Sequence, residues 1–406
     1  MVVFLLERFR GEYMNCYEDL VYRGLIKDMT NNEDFIERLN KGGMTFYIGT
    51  DPTADSLHLG HLSSFLICER LARFGHHPIV LVGGATGLIG DPRPTKEREK
   101  QDTSVIFKNI EGIKNQLKKY FPNCEMVNNY DWTKDITFID FLRDYGKYFN
   151  INYMINKDII KRRLDEGISY TEFSYMLMQA YDFLWLYQNK NCIMQVAGQD
   201  QWGNITSGVE LIRKALNKDA YAFTMPLVTT KSGVKFGKSE GNALWLDKDK
   251  TSPYQMYQYL INSEDEMVID YLKRFTFLSK EEIDDLEVKH KEKPENRDAH
   301  KALAFEVVKF LHGEEEAVKA REASEAIFNG GISDDMPTFE VTSKNILDIL
   351  VECECATSKS EARRLVQQGG VSIDSKRVDD ANLIVDKLEF ILQKGKKKII
   401  KVIVKE

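Results

Sequence analysis

A chain of 406 residues, 43% hydrophobic and 29% charged, is long enough for two or three domains and reads as an ordinary globular protein. Its six cysteines form no CxxC pair and no apolar run approaches a membrane span, so neither a disulfide framework nor an integral membrane protein is expected, and a reduced, cytoplasmic protein is. The net charge of −7 excludes a generally basic nucleic-acid coat, yet from Val341 onward 13 Lys/Arg face 10 Asp/Glu, a net +3 that leaves −10 for residues 1–340 and suggests one local polyanion contact.

The opening Met1–Leu6 is apolar for too few residues to be a signal-peptide core, and Glu7, Arg8 and Arg10 interrupt it. The first clear unit is βαβ: TFYIGT (45–50) predicts a strand, Leu59 to Phe74 a helix, and PIVLVGG a second, buried strand, joined by a right-handed crossover. Between strand and helix lies DPTADSLHLGH, residues 51–61. His58 and His61 lack the i, i+4 spacing and the glutamate of HExxH, which weakens a zinc reading. Two others stand beside it: packed core histidines, or hydrogen-bond donors to an anion at a helix N-terminus, where unpaired N–H groups and the dipole favour negative charge.

Further along, the helix YTEFSYMLMQAYDFLWLY is apolar all round and should be buried, yet Tyr175, Gln179 and Asp182 fall at i, i+4 and i+7 on one face. Polar groups on a buried helix need partners, from either an internal network or a ligand. CIMQVAG (192–198) and AFTMPLVTT (222–230) predict two more strands, with a helix from Asn204 to Leu216 between them. These resemble the second half of a doubly wound parallel sheet, residues from about 91 to 190 being inserted between the halves. KFGKS (235–239) places two lysines, a glycine and a hydroxyl on the next loop; Gly233 lies four residues before Gly237, so it is not a P-loop. Alone it could be a solvated lysine loop, whereas joined to HLGH it reads as a second phosphate contact.

After Asp247 the pattern turns to charged helices, giving a domain at 248–330 behind an α/β body at 1–247. Gly330–Pro337 reads as part of a linker, 331–341. A small α+β unit follows at 342–406, with Arg363 and Arg364 on a helix, a Gly369–Gly370 turn, and Lys394, Lys396, Lys397 and Lys398 in a terminal hairpin.

HLGH and KFGKS together resemble the two signatures of class I aminoacyl-tRNA synthetases. The ordered segments YIGTDPTADSLHLGH, GGATGLIGDP, YTEFSYMLMQAYDF, GQDQWGNI, KFGKS and TSPY are similar to the bacterial-type tyrosyl-tRNA synthetases over nearly the whole chain. The resemblance implies a Rossmann-like catalytic domain, a helical anticodon-binding domain and an S4-like RNA-binding domain. It implies that Tyr175, Gln179 and Asp91 hold the ammonium of tyrosine, that Asp182 and Tyr47 read its phenol, and that Gln201 lies on its carboxylate side. A site that hydrogen-bonds a hydroxyl rejects the analogue lacking it, as is known for tyrosyl-tRNA synthetases themselves, so no editing domain is needed. For ATP the resemblance implies Asp51, Gly60, Gly198 and Asp200 around the nucleotide, Thr53 and His58 at the leaving pyrophosphate, and His61 nearer the adenosine. Lys235, Lys238 and Ser239 would clamp the phosphates, with Lys96 and Arg98 as further contacts.

Ile48 stands where some relatives carry a short polar residue near the ribose, so that contact is absent, and KFGKS departs from the commonest KMSKS wording while keeping its lysines and hydroxyl. The implied reaction forms tyrosyl-adenylate and then charges tRNA, with Mg²⁺ arriving on ATP and a homodimer as the assembly. The alternatives are a tryptophanyl-tRNA synthetase, which the Tyr47/Asp182 pair opposes, and an RNA-binding splicing cofactor derived from a synthetase, which the intact HLGH and KFGKS motifs oppose. Because the similarity begins near Met14, residues 1–13 are expected to be an upstream extension.

Overall fold

The computed structural model describes residues 14–30, 32–92, 102–164, 167–239, 242–328, 338–374, 376–395 and 398–405. The expected extension 1–13, Lys96, Arg98, the expected linker as far as Pro337, Lys396 and Lys397 lie outside them, as do the side chains of Lys238, Ser239 and Lys398. The chain divides into two units: one contains residues up to Asp247 together with Lys273–Ser279, the other Lys248–Leu272 and residues from Lys280 onward. Among the described residues no helix is long and apolar enough to cross a membrane.

The first unit is built on a six-stranded sheet. In chain order its strands are β1 (Asp28–Met29), β2 (Thr45–Thr50), β3 (His77–Val82), β4 (Glu125–Asn128), β5 (Cys192–Gly198) and β6 (Tyr221–Met225). Across the sheet they run β1-β6-β5-β2-β3-β4, parallel except for the short β1 at the β6 edge. Helices cover both faces, so the central strands are continuous apolar runs rather than alternating ones, and Phe46, Ile48, Ile79 to Val82 and all of β6 are buried. Order reverses between β2 and β5, which makes the crevice at their C-terminal ends the topological switch point where ligands bind in such sheets.

Two elements differ from the sequence expectation. β4 lies within the stretch expected as an insertion, yet it pairs with β3 and completes the first half of the sheet after the Thr103–Tyr120 helix. Four residues, EMVN, are too short for alternation to show. The strand expected over 222–230 stops at Met225, because Pro226 has no N–H to continue the ladder.

The helix Leu59–Arg73 leaves β2 with Leu59, Leu62, Phe65 and Leu66 inward, a helical spacing that packs it on the sheet. Near its other end Arg70 joins Asp19 and Arg23 in a buried cluster, Arg23 Nε 2.7 Å and Arg70 Nη1 3.4 Å from the carboxylate. Both arginines donate to a chain segment from far along the sequence: Arg23 to Lys273 O (3.0 Å) and Leu278 O (2.7 Å), Arg70 to Thr276 O (2.8 Å). Phe277 lies under the guanidinium groups of Arg70 and Arg73. Burial, with Arg23 nearby, lowers the Arg70 pKa to about 9, and the carbonyl oxygens supply the acceptors that two arginines on one carboxylate would otherwise lack.

In the second unit, helices Pro253–Ile261, Asp298–His312 and Glu314–Phe328 bury Tyr257, Leu260, Leu303 and Val307. Its C-terminal part is a five-stranded sheet of β9 (Thr338–Val341), β10 (Val371–Ile373), β11 (Lys376–Arg377), β12 (Glu389–Lys394) and β13 (Lys398–Val404), ordered β11-β10-β12-β13-β9. Helices Ile346–Glu352 and Lys359–Gln367 close its core on Leu350, Val366, Val371 and Phe390. The expected terminal hairpin is β12–β13, and Arg363 and Arg364 are exposed on the second helix.

Candidate active site

A cavity of about 400 Å³ opens at the C-terminal ends of β2 and β5. Every sequence-predicted site residue whose side chain is described lines it: Tyr47, Asp51, Thr53, His58, Gly60 and His61 from β2 and the turn after it, Asp91, then Tyr175, Gln179 and Asp182 from one helix face. Gly198, Asp200 and Gln201 after β5, and Lys235 from the KFGKS loop, complete it.

The deep end is built around Asp182, which is 2% exposed. Its Oδ2 accepts from Asn129 Nδ2 and its Oδ1 from Trp132 Nε1, both at 2.9 Å. Trp132 is itself held by stacking on Trp185, centroids 4.2 Å apart. Burial raises the Asp182 pKa from 3.8 to about 7, opposed by these two bonds. Three buried polar atoms around the same cavity, Tyr47 Oη, Gln179 Oε1 and Gln195 Oε1, have no hydrogen-bond partner among the described residues. Orphans of this kind are rare and expensive in a folded interior, so their convergence marks a place for a polar guest.

Two further carboxylates are held in fixed orientation. Asp91 accepts from Gln201 Nε2 (2.8 Å) and Asn204 Nδ2 (3.3 Å). Asp51 accepts from Thr86 Oγ1 (2.9 Å) and Tyr175 Oη (3.1 Å). This side of the cavity is therefore anionic and suits a cationic group.

The same cavity presents the histidines. His58 is the N-cap of the Leu59–Arg73 helix, its Nδ1 accepting from Gly60 N–H at 3.1 Å, while His61 Nδ1 accepts from His58 N–H at 3.2 Å. The rings stack with centroids 3.8 Å apart. Because each Nδ1 is an acceptor, a neutral ring carries its proton on Nε2, so both histidines are donors at Nε2. Burial, with His58 and Lys235 nearby, pulls the His61 pKa down to about 3, and it is neutral at physiological pH. Among the described residues no three His, Cys, Asp or Glu side chains are grouped to hold a metal ion.

The KFGKS loop lies directly against this turn. Phe236 N–H donates to Val228 O, Leu244 N–H to Gly237 O and Leu59 N–H to Leu244 O. Gly237 has φ +87°, and a Cβ there would stand 3.0 Å from both Gly60 N and Leu59 Cβ, so both the conformation and the space require glycine. The two motifs are thus one structure, and the anion reading of HLGH gains its cationic partner in Lys235.

Sequence reasoning missed Asn129, Trp132, Thr86, Asn204, Gln195 and Arg274, all at or just behind the cavity wall. Asn129 and Trp132 sit in an aperiodic stretch, and only the need of a buried Asp182 for donors could have pointed to them. Arg274 arrives from residues 273–279, whose return to this unit leaves no local trace in the sequence.

The family model of tRNA synthetases class I (W and Y) matches residues 39–329, and that of the tyrosine–tRNA ligase SYY-like C-terminal domain matches 327–402. The chain is 48% identical to tyrosine–tRNA ligase 1 of Bacillus subtilis over 95% of its own length and 98% of the relative's, and 47% identical to tyrosine–tRNA ligase of Bacillus velezensis over the same shares. Among solved structures it is similar to a C-terminally truncated mitochondrial tyrosyl-tRNA synthetase of Aspergillus nidulans, with 33% identity and a TM-score of 0.71 over 80% of this chain and 98% of that one. A tryptophanyl-tRNA synthetase of Encephalitozoon cuniculi, at 14% identity and a TM-score of 0.55, covering 78% of this chain and 90% of that one, shares the fold alone.

Proposed function

This chain belongs to the tyrosine–tRNA ligases among the class I tRNA synthetases, and on that premise we propose how its cavity activates tyrosine with ATP and passes it to tRNA. The observation that carries the assignment of the deep end is the buried pair Tyr47 and Asp182, with Asp182 fixed by Asn129 and Trp132. The substrate phenol donates to Asp182 and accepts from Tyr47, so a phenylalanine would leave both unpaired. The ammonium lies among Asp91, Tyr175 and Gln179, and Gln201 faces the carboxylate. Asp51, Gly60, Gly198 and Asp200 surround the nucleotide.

In the first step a carboxylate oxygen of tyrosine bonds to the α-phosphorus while the bond to the bridging oxygen breaks and pyrophosphate leaves. A carboxylate is nucleophilic without a base, so the work is positioning and donation to charge that grows on the phosphates. Thr53 and the Nε2–H groups of His58 and His61 supply donors, and Lys235, Lys238 and Ser239 supply the cations and hydroxyl of the clamping loop. Mg²⁺ carried in with ATP would supply further neutralisation of phosphate charge beside Lys235 and Lys238. In the second step a terminal ribose hydroxyl of tRNA attacks the acyl carbon and AMP leaves. Arg363, Arg364 and the lysines of the β12–β13 hairpin contact the tRNA backbone, and the helical domain helps read the anticodon.

The working form is a homodimer in the cytoplasm. What supports self-association is a run of exposed apolar side chains in the first unit, Phe138 and Ile139 at 67% and 73% exposed with Leu142, Ile151 and Tyr170. Pyrophosphate exchange into ATP with tyrosine, tryptophan and phenylalanine in turn tests the reading. Exchange is expected with tyrosine alone; faster exchange with tryptophan would refute it.

A further inference from the structure

Asp182 and Tyr175, which the proposed tyrosine site assigns to phenol and ammonium respectively, are connected by an unbroken path of hydrogen bonds, buried as far as Thr86 and part-buried at Asp51, whose direction can be read atom by atom. Asn129 is fully buried, and its Oδ1 accepts from Ala85 N–H at 2.7 Å, which fixes the amide and leaves both protons of Nδ2 to be donated. One goes to Asp182 Oδ2 at 2.9 Å and the other to Thr86 Oγ1 at 3.1 Å. Thr86, 3% exposed, has one hydroxyl proton, and since its oxygen already accepts from Asn129, that proton goes to Asp51 Oδ1 at 2.9 Å. The other oxygen of Asp51 accepts from Tyr175 Oη at 3.1 Å. The phenolic proton of Tyr175 is then committed to Asp51, so that toward any further partner its oxygen can act only as an acceptor.

We propose that Thr86 is a positioning residue for tyrosine recognition: its hydroxyl, oriented by Asn129, holds Asp51 so that Tyr175 presents an acceptor to the substrate ammonium. This rests on the reading of the deep end as a tyrosine site and adds to it a device that makes the ammonium end depend on a residue that need not touch the ligand. The wall leaves room for it. A Cβ at Gly83 would fall on the Thr86–Asp51 hydrogen bond itself, so glycine there keeps the path open. Asn129 stays anchored by Ala85 and Asp182 when Thr86 is altered, so the phenol end is insulated from the change.

Thr86→Val keeps the shape and removes the donor and the acceptor together, and Thr86→Ser restores both. Inhibition constants or affinities are measured for L-tyrosine, for tyramine, which keeps phenol and ammonium, and for 3-(4-hydroxyphenyl)propionate, which lacks the ammonium. Thr86→Val is expected to weaken tyrosine and tyramine by roughly ten- to a hundredfold, the cost of one buried unpaired group. The propionate should change by less than about threefold, and Thr86→Ser should recover most of the loss. Gly83→Ala, which obstructs the same bond from outside, is expected to give the same order of losses. Equal weakening of all three ligands, no weakening of tyrosine, or failure of serine to rescue would overturn the proposal. Failure of the unaltered protein to bind tyrosine and tyramine would instead refute the site assignment beneath it.

Discussion

Replacing Asp182 by asparagine separates what the carboxylate does for the fold from what it does for the substrate. Its pKa is raised from 3.8 to about 7 by burial, so the folded state holds a proton that the unfolded chain has already lost. For a raised acid, stability is greatest below pH 4 and falls as pH rises towards 7, after which it is level. At 1.36 kcal/mol per pKa unit, the ligand-free protein loses about 2–3 kcal/mol between pH 5 and pH 8 through this group. Asp182→Asn cannot ionise and escapes the loss. It also sets an amide N–H₂ against one of the donors Asn129 and Trp132, costing about 1–3 kcal/mol, but that cost does not depend on pH and cancels in the comparison. The thermal midpoint of the variant relative to the unaltered protein should therefore rise between pH 5 and pH 8 by several degrees. In pyrophosphate exchange the same variant should lose about ten- to a hundredfold in kcat/KM for tyrosine, with KM for ATP unchanged. A midpoint difference that is flat with pH, or equal losses toward tyrosine and ATP, would refute the reasoning.

Replacing His58 or His61 by alanine should lower the single-turnover rate of adenylate formation far more than it weakens tyrosine binding, since donors to the phosphates act when their charge grows. His58→Ala should in addition lower stability by about 1 kcal/mol, because the helix loses its N-cap acceptor, as a denaturation midpoint would report. Changing Arg363 and Arg364 together to glutamate should leave pyrophosphate exchange intact and impair tRNA charging, with a weaker salt dependence of the remaining charging. Ile139→Glu, at the most exposed of the apolar side chains, should shift the mass measured by light scattering from two chains toward one; an unchanged dimer would place the interface elsewhere.

What was legible in the sequence is what local pattern encodes. β2, the Leu59–Arg73 helix, β3 and β5 follow from apolar runs of the right length, and the polar face of the tyrosine helix follows from a spacing of four and three. The pairing of HLGH with KFGKS was readable as chemistry, but its physical form, Gly237 seated against Gly60, depends on chain segments about 180 residues apart. Asn129 and Trp132 were illegible for another reason. They are polar groups that serve another polar group, and nothing in their own neighbours announces it. β4 escaped because four residues carry no period.

The arginine cluster beneath the Leu59–Arg73 helix has a consequence for how this protein is made. Arg23 and Arg70 are synthesised early, but the carbonyl oxygens of Lys273, Thr276 and Leu278 that they require come some 200 to 250 residues later. The last strand of the first sheet, β6, ends at Met225, so the ribosome has still to deliver about 50 residues before the unit can finish. At roughly 5–20 residues per second the nascent sheet waits for seconds with two guanidinium groups that have Asp19 but not yet their backbone acceptors. A gene fragment ended at Asp247 would lack those acceptors altogether, whereas one carried on to Ser279 would contain every residue of this unit.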